Sequence, residues 1–407
     1  MNNLSKKKEQ AFHLLNEAKE LDVINFNLDP SIFRGRTITV GDKKLLHFAN
    51  CSYLGLENDP RLIESSNIAS QDYGIIQSNS RAFFSSPLYS ELEGELKKIF
   101  NKEVVVTATT TLGHCSALPL LTDKDDLIIV DIHAHNSLQM ACKLCAQQGT
   151  TIKYLKYHNN INKLKEMINQ SDNDHYKRIW FVGDGVYSMQ GDFIDIKSLI
   201  KLLDEKERLY TYIDDAHGFS WTGKNGRGYV LGEIGEIHPK MIVAVSMSKS
   251  FGSSGGILVF PNKSLRDRIN LIGQTQIFSG PLTNPVLGAA IASAKIHRST
   301  ELEILQEELK GLINYFRERC FESEIPLKTH SVTPIQFIEI GRSDKVYQVA
   351  RKLIALGIYC SVAVYPSRPL NHGGLRVSLT LHLNEKDIDF LINQLIKILE
   401  IKPLEVG

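Results

Sequence analysis

Lys249 stands in the stretch AVSMSKSFGSSGGILVFP (244–261), between an apolar run that reads as a strand and a serine–glycine cluster that cannot be one. A lysine so placed can be a surface charge, a phosphate clamp, the base of a serine hydrolase, or the amine that holds a carbonyl cofactor. Ser246 and Lys249 fit SxxK, the nucleophile motif of penicillin-recognising enzymes, and Ser171–Asn173 spells SDN. That SDN precedes SxxK, no KTG follows, and MIVAVSMS is strand-like where SxxK needs a helix start. GFSWTGK (218–224) matches GxxxxGK, but Asn225 replaces the magnesium-binding Ser or Thr, and the following GRGY begins no helix.

A carbonyl cofactor draws on more of the chain. Pyridoxal phosphate on Lys249 needs a carboxylate at its pyridine nitrogen, and Asp214 is the candidate. It needs a flat partner for the ring, which His135 offers, and a donor to its phenolate oxygen, which His217 offers. It needs backbone N–H groups and hydroxyls for the phosphate, available at Thr110, Thr111 and Ser246. Each residue alone has a plainer explanation, a structural histidine or a helix cap. The weight lies in the set.

The elements that must position this set read as an alternating α/β pattern. Strand-like runs fall at 103–109, 126–133, 151–157, 178–185, 209–216, 241–248 and 255–261, with helical spacing between most of them. Continuous apolar strands alternating with helices predict a mostly parallel seven-stranded central sheet sandwiched by helices. Ligands gather beyond the carboxyl ends of such strands. Five of those ends carry Thr109–Thr111, His133 and His135, Asp184 and Ser188, Asp214 and His217, and Ser246–Lys249.

The chain divides into an amino-terminal arm with an amphipathic helix (1–45), a large cofactor domain (46–285) and a smaller α+β domain (286–407). One long helix, 284–320, is expected to open the last. The 407 residues carry 47 basic and 46 acidic side chains, which argues against nucleic acid or an acidic membrane as a partner. The first twenty residues contain no apolar signal core, and no uncharged run approaches spanning length, so a cytoplasmic protein without a membrane span is expected. Six cysteines in this length make no disulfide framework. Cys142 and Cys145 form a CxxC that no second ligand pair completes, so no metal is expected and both read as buried helix thiols.

At this point the residues resemble a family, the α-oxoamine synthases. These are fold-type I pyridoxal-phosphate enzymes that include 8-amino-7-oxononanoate synthase, 2-amino-3-ketobutyrate ligase, 5-aminolevulinate synthase and serine palmitoyltransferase. CSYLGL (51–56) is similar to the family's N-x-YLGL, DIHAHNSL to its D-x-x-x-HAS, and YHNN (157–160) to its HND. DGVYSMQGD (184–192) resembles EGVFSMDGD, IDDAHGFSWTGKNGRG (213–228) the DDAHGxGxxGxxGRG motif, and GLRVSLTLHLNEKDID (374–389) the arginine motif.

The resemblance implies that Lys249 holds the cofactor as a Schiff base, Asp214 pairs with the pyridine nitrogen and His135 stacks on the ring. Ser188 and His217 contact the cofactor, and Ser246, Thr110 and Thr111 serve its phosphate. Ser279 falls where a partner subunit reaches across, implying a homodimer with shared active sites. Arg376 binds the amino-acid carboxylate, and Ser367 and Cys51 lie at substrate positions. The implied reaction is a Claisen-type, usually decarboxylative, condensation of an amino acid with an acyl-CoA or acyl-carrier-protein thioester, giving an α-amino ketone. Lys249 takes the α-proton, and His135 donates to the developing oxyanion.

Three departures surround the substrate positions. Cys51 replaces Asn, SNSRAFFSSPLY (78–89) replaces a glycine-rich segment with Tyr89 in place of His, and TTTLGH (109–114) replaces SGxxAN. They point to a specialised pathway. The alternatives are an aminotransferase or aldol-type lyase, and a non-catalytic binding subunit, against which the retained Lys249 argues.

Overall fold

The computed structural model describes residues 3–30, 33–171 and 176–401, which leaves Asp172 and Asn173 of the SDN stretch outside. The strands, in chain order, are β1 (Thr37–Val40), β2 (Lys43–His47), β3 (Glu103–Thr107), β4 (Asp126–Asp131), β5 (Thr151–Leu155), β6 (Arg178–Asp184) and β7 (Leu209–Asp214). They continue with β8 (Met241–Ser246), β9 (Gly256–Phe260), β10 (Ile335–Gly341), β11 (Ile358–Tyr359), β12 (Ser361–Ala363) and β13 (Gly373–Ser378).

Two compact units result. The larger comprises Leu56–Tyr187 and Phe193–Gln306. It holds a seven-stranded sheet in the order β3-β9-β8-β7-β6-β4-β5, parallel except for β9, which runs antiparallel to both its neighbours. Strand residues alternate between two apolar faces. Val104, Ile129, Phe181, Ile213 and Val243 join one core cluster, while Val105, Ile128, Trp180, Tyr212 and Ala244 join the other. A sheet apolar on both faces must be covered on both.

The smaller unit comprises the residues up to Gly55, Ser188–Asp192 and those from Glu307 onward. It contains two three-stranded sheets, β1-β2-β11 and β10-β13-β12. The boundaries at 45 and 285 shift accordingly. The first 55 residues group with the carboxyl-terminal ones through the β2–β11 pairing, and the helix Asn284–His297 packs on Pro60–Tyr73 in the larger unit.

The single helix expected over 284–320 is two, Asn284–His297 and Glu301–Glu322. Ser299 turns its hydroxyl back onto Ile296 O (2.8 Å), and Glu301 and Glu303 restart the helix with acidic side chains in its first turn. The CxxC is as read: Cys142 and Cys145 are buried on Asn136–Gln147, and burial pushes their thiols up to about 12 and about 11. Among the described residues no helix is long and apolar enough to cross a membrane.

The strands end one or two residues before their expected ends, for a reason that matters to the site. The last residue of three strands accepts the N–H two positions on: Asp131 from His133 (2.8 Å), Asp214 from Ala216 (3.0 Å) and Ser246 from Ser248 (3.2 Å). Such side-chain turns take the chain out of the ladder and direct the next residues over the sheet's end.

His297 closes its helix fully buried beside Phe251 and Phe219. Its Nδ1–H donates to Ser293 O (2.8 Å), so Nε2 accepts from the Ser220 hydroxyl (2.6 Å), and burial pulls the ring down to about 4. The unfolded chain, with an ordinary imidazole, binds the proton first as pH falls. Stability from this group is therefore intact above about pH 6.5 and lost towards pH 4, by up to about 3 kcal/mol. Urea melts at about pH 7 and pH 4.5 are expected to show a smaller pH loss in His297→Leu than in the parent; equal losses would refute this.

Candidate active site

The larger unit gathers most of the expected residues around one cavity of about 180 Å³ at the carboxyl ends of its strands, lined by Thr109–Thr111, His135, Asp184, Asp214, His217, Ser246 and Lys249. One wall is the start of the helix Thr110–Leu121. Thr109 caps it by accepting from Leu112 N–H (3.1 Å). The free N–H groups of such a start favour an anion. Gly256 lets β9 lie against it, since a Cβ there would stand 2.6 Å from Thr110 N and Cα.

Asp214 ends β7 inside the cavity. Oδ1 accepts from Ala216 N–H and Oδ2 bonds His114 Nε2 (2.9 Å). Burial opposes its charge, but His114, Lys249 and His135 outweigh burial and hold the carboxyl below the usual range. Asp184, its register partner on β6, accepts from His135 N–H (3.1 Å), and burial together with Asp214 pushes its carboxyl well up. The neighbouring Asp215 faces away. It accepts from Val230 N–H (2.9 Å) and anchors the GKNGRG loop, where a Cβ at Gly228 (φ +97°) would lie 2.4 Å from its Oδ2. The Walker-like spacing is thus a structural loop.

His135 caps the helix Asn136–Gln147, and Ser137 N–H donates to its Nδ1 (3.3 Å). Nδ1 is therefore the acceptor, and Nε2–H is left to donate. Desolvation, with Lys249 and His114, lowers the ring's affinity for a second proton, against the pull of Asp214. Ser246, nearly buried, and Ser248 hold the turn that carries Lys249, with Gly255 N–H on Ser248 Oγ (3.2 Å). Lys249 itself is part-buried at the cavity; its carbonyl accepts from Gly252 N–H (3.0 Å), and its amine makes no hydrogen bond or ion pair among the described residues.

The donor set suits a phosphorylated pyridine aldehyde: an unpaired amine, a charged carboxylate, an imidazole ring and an N–H-rich helix start in one cavity. The smaller unit gathers three further expected residues. Arg376, on β13 and buried, donates from Nε to Ser188 O (2.6 Å) and from Nη1 to Ser378 Oγ (2.9 Å), with Nη2 3.6 Å from Cys51 Sγ. It has no carboxylate partner among the described residues, and a buried guanidinium without one is a ready site for an anion.

Two expected residues are neither among those that line the cavity nor among those that bond Arg376. Ser279 turns its hydroxyl onto Thr275 O (2.5 Å), and Ser367 turns its onto Val364 O (2.7 Å). Tyr89 accepts Leu282 N–H (2.7 Å) under the Arg81 guanidinium, 3.8 Å from the ring centre. The sequence reading left out His114 and gave Asp184 no role. The signal for His114 was a lone basic side chain in the otherwise largely apolar stretch LGHCSALPLL, which demands a buried partner.

The model of the family described as aminotransferase class I and II matches residues 43–395. The chain is 30% identical over 373 residues to 8-amino-7-oxononanoate synthase of Treponema denticola, covering 90% of each protein. It is 28% identical over 361 residues to serine palmitoyltransferase of Bacteriovorax stolpii, covering 88% of this chain and 83% of that one. The solved structure of Sphingomonas wittichii serine palmitoyltransferase superposes with a TM-score of 0.85 over 98% of both chains at 21% identity.

Proposed function

The chain belongs to the class I and II aminotransferase family and, within it, to the α-oxoamine synthases, and from that premise we propose that it condenses an amino acid with an acyl-CoA or acyl-carrier-protein thioester to give an α-amino ketone, using pyridoxal phosphate. The observation that carries the proposal is Lys249, an amine without a partner in a cavity that also holds the charged Asp214. Bound pyridoxal phosphate supplies a ring that takes up the charge left when the amino acid loses its α-proton.

The protein's own groups do the rest. Lys249 Nζ would hold the cofactor at its carbonyl carbon and, once the incoming amino acid has displaced it, would take the α-proton as a free amine. Asp214 would keep the ring nitrogen protonated, and Thr110, Thr111 and Ser246 would hold the phosphate, with His217 and Ser188 as further cofactor contacts. Nε2–H of His135 donates to the thioester oxygen as it gains charge. Arg376 holds the amino-acid carboxylate, beside Cys51, with Ser367 as a further substrate contact. The thioester's thiol leaves as the carbon–carbon bond forms, and loss of carbon dioxide from the β-keto acid with return of a proton to the same carbon gives the α-amino ketone.

A homodimer with shared sites and a cytoplasmic location belong to the same proposal. Support for the dimer comes from an exposed apolar patch next to Ser279. Phe83 and Phe278 are each 83% exposed, and Ser80 Oγ on Ile277 O (2.6 Å) ties their two segments together. A second copy is the occupant that would bring Ser279 to a site.

The decisive assay is thiol release with the amino acid and the thioester supplied separately and together. Release only with both supports condensation; amino-group transfer without thiol release would indicate an aminotransferase. Arg376→Ala is expected to raise the KM for the amino acid roughly 10–100-fold, the worth of a charge-assisted hydrogen bond, with pyridoxal phosphate affinity retained. An unchanged KM would remove Arg376 from the carboxylate. Arg376→Lys keeps the charge but not the fork and is expected to fall between the two.

A further inference from the structure

His114 serves no step of the reaction proposed above, yet it is fully buried and both ring nitrogens are engaged. Nε2 lies 2.9 Å from Asp214 Oδ2 and Nδ1 lies 2.9 Å from the Tyr212 hydroxyl. The arrangement follows from the strand period. Tyr212 and Asp214 are two apart on β7 and so share a face, and the helix Thr110–Leu121 packs on that face through Ala117, Leu118 and Leu121. A histidine one turn into that helix reaches both. A charged carboxylate only accepts, so Nε2 carries the proton in this pair.

Asp184 ends the neighbouring strand at the same register as Asp214 and on the same face. Adjacent strands lie about 5 Å apart, and two like carboxyls at that spacing in a desolvated site do not both ionise. What distinguishes them is their donors. Asp184 receives one backbone N–H, whereas Asp214 receives a backbone N–H on one oxygen and an imidazole N–H on the other. The second donor fixes the carboxylate's torsion and favours its charge.

Resting on the cofactor chemistry proposed above, we infer that His114 is a positioning residue. Through Nε2 it makes Asp214, rather than Asp184, the carboxylate presented to the ring nitrogen, and Tyr212 fixes the imidazole that does so. The opposite displacements of the two carboxyls agree, since Asp214 is held low and Asp184 is pushed high. The titratable and charged groups around Asp214 are His114 from its helix, Tyr212 on β7, His217 just beyond β7, Asp184 on β6, His135 beyond β4 and Lys249 beyond β8.

The test is equilibrium binding of pyridoxal phosphate, with the pH titration of the lysine-bound cofactor's visible absorbance and the melting temperature of the cofactor-free protein. His114→Leu is expected to weaken binding about 10-fold or more, the worth of a hydrogen bond to a charged group. It is also expected to move the absorbance titration by about one pH unit. His114→Gln, whose amide can replace the Nε2 donor, is expected to restore both. Parent-like affinity and titration in His114→Leu would overturn the inference. Should that variant not fold, Tyr212→Phe decides: a shifted titration at unchanged melting temperature supports the role, and an unshifted one overturns it. A parent protein that binds no pyridoxal phosphate overturns the cofactor assignment itself, and with it any role for His114 there.

Discussion

Lys249→Ala is expected to fold and melt like the parent, to stay colourless when pyridoxal phosphate is added, and to lose at least about 10³-fold of its condensation rate. Folding should survive because the amine of Lys249 holds nothing together. The side chain makes no hydrogen bond or ion pair among the described residues, and the turn that carries it is held by Ser246, Ser248 and the residue's own carbonyl, a contact alanine keeps. A substitution away from such features changes stability by less than about 0.5 kcal/mol. Activity should not survive, because the same amine is asked to bond the cofactor and to move the α-proton. Two measurements decide the matter, the visible spectrum and the rate of thiol release. A variant that keeps both would assign the chemistry to another group.

Most of this site was legible in the sequence because its residues sit where strands must end. An apolar run that closes on Asp, Ser or Thr announces both a strand and its termination, and β4, β7 and β8 obey that pattern. The sandwich was legible for the same reason, since strands without a polar face need cover on both sides. What stayed hidden depends on contacts between segments distant in sequence. His114 is a hundred residues from Asp214, and only the packing of one helix on one sheet face joins them. The pairing of Asp184 with Asp214 needs the strand register, which no spacing reveals. The break at Ser299–Thr300 was missed because a run at helical spacing reads as one element until a stop followed by a start is recognised, and the unit boundary at Gln306 falls inside the second helix, where spacing alone gives no sign of it.

The two neighbouring carboxyls are expected to respond unequally to the same substitution. Asp214→Asn removes the charge proposed to face the ring nitrogen and puts an amide N–H within reach of His114 Nε2–H, donor against donor. Loss of one electrostatic partner aimed at developing charge costs roughly 10²–10³-fold in kcat/KM, and that range is expected here. Asp184→Asn removes a carboxyl whose charge is already disfavoured, because burial and the adjacent Asp214 push it well up. Its amide oxygen can still accept from His135 N–H. The expected loss is less than about tenfold, with cofactor affinity close to that of the parent, since the carboxylate favoured by its donors, Asp214, is left in place. Steady-state kinetics of the two variants, measured beside their affinities for pyridoxal phosphate, check the contrast. Equal damage from both would mean that the charge is shared by the pair, and a greater loss in Asp184→Asn would move the cofactor's carboxylate from β7 to β6.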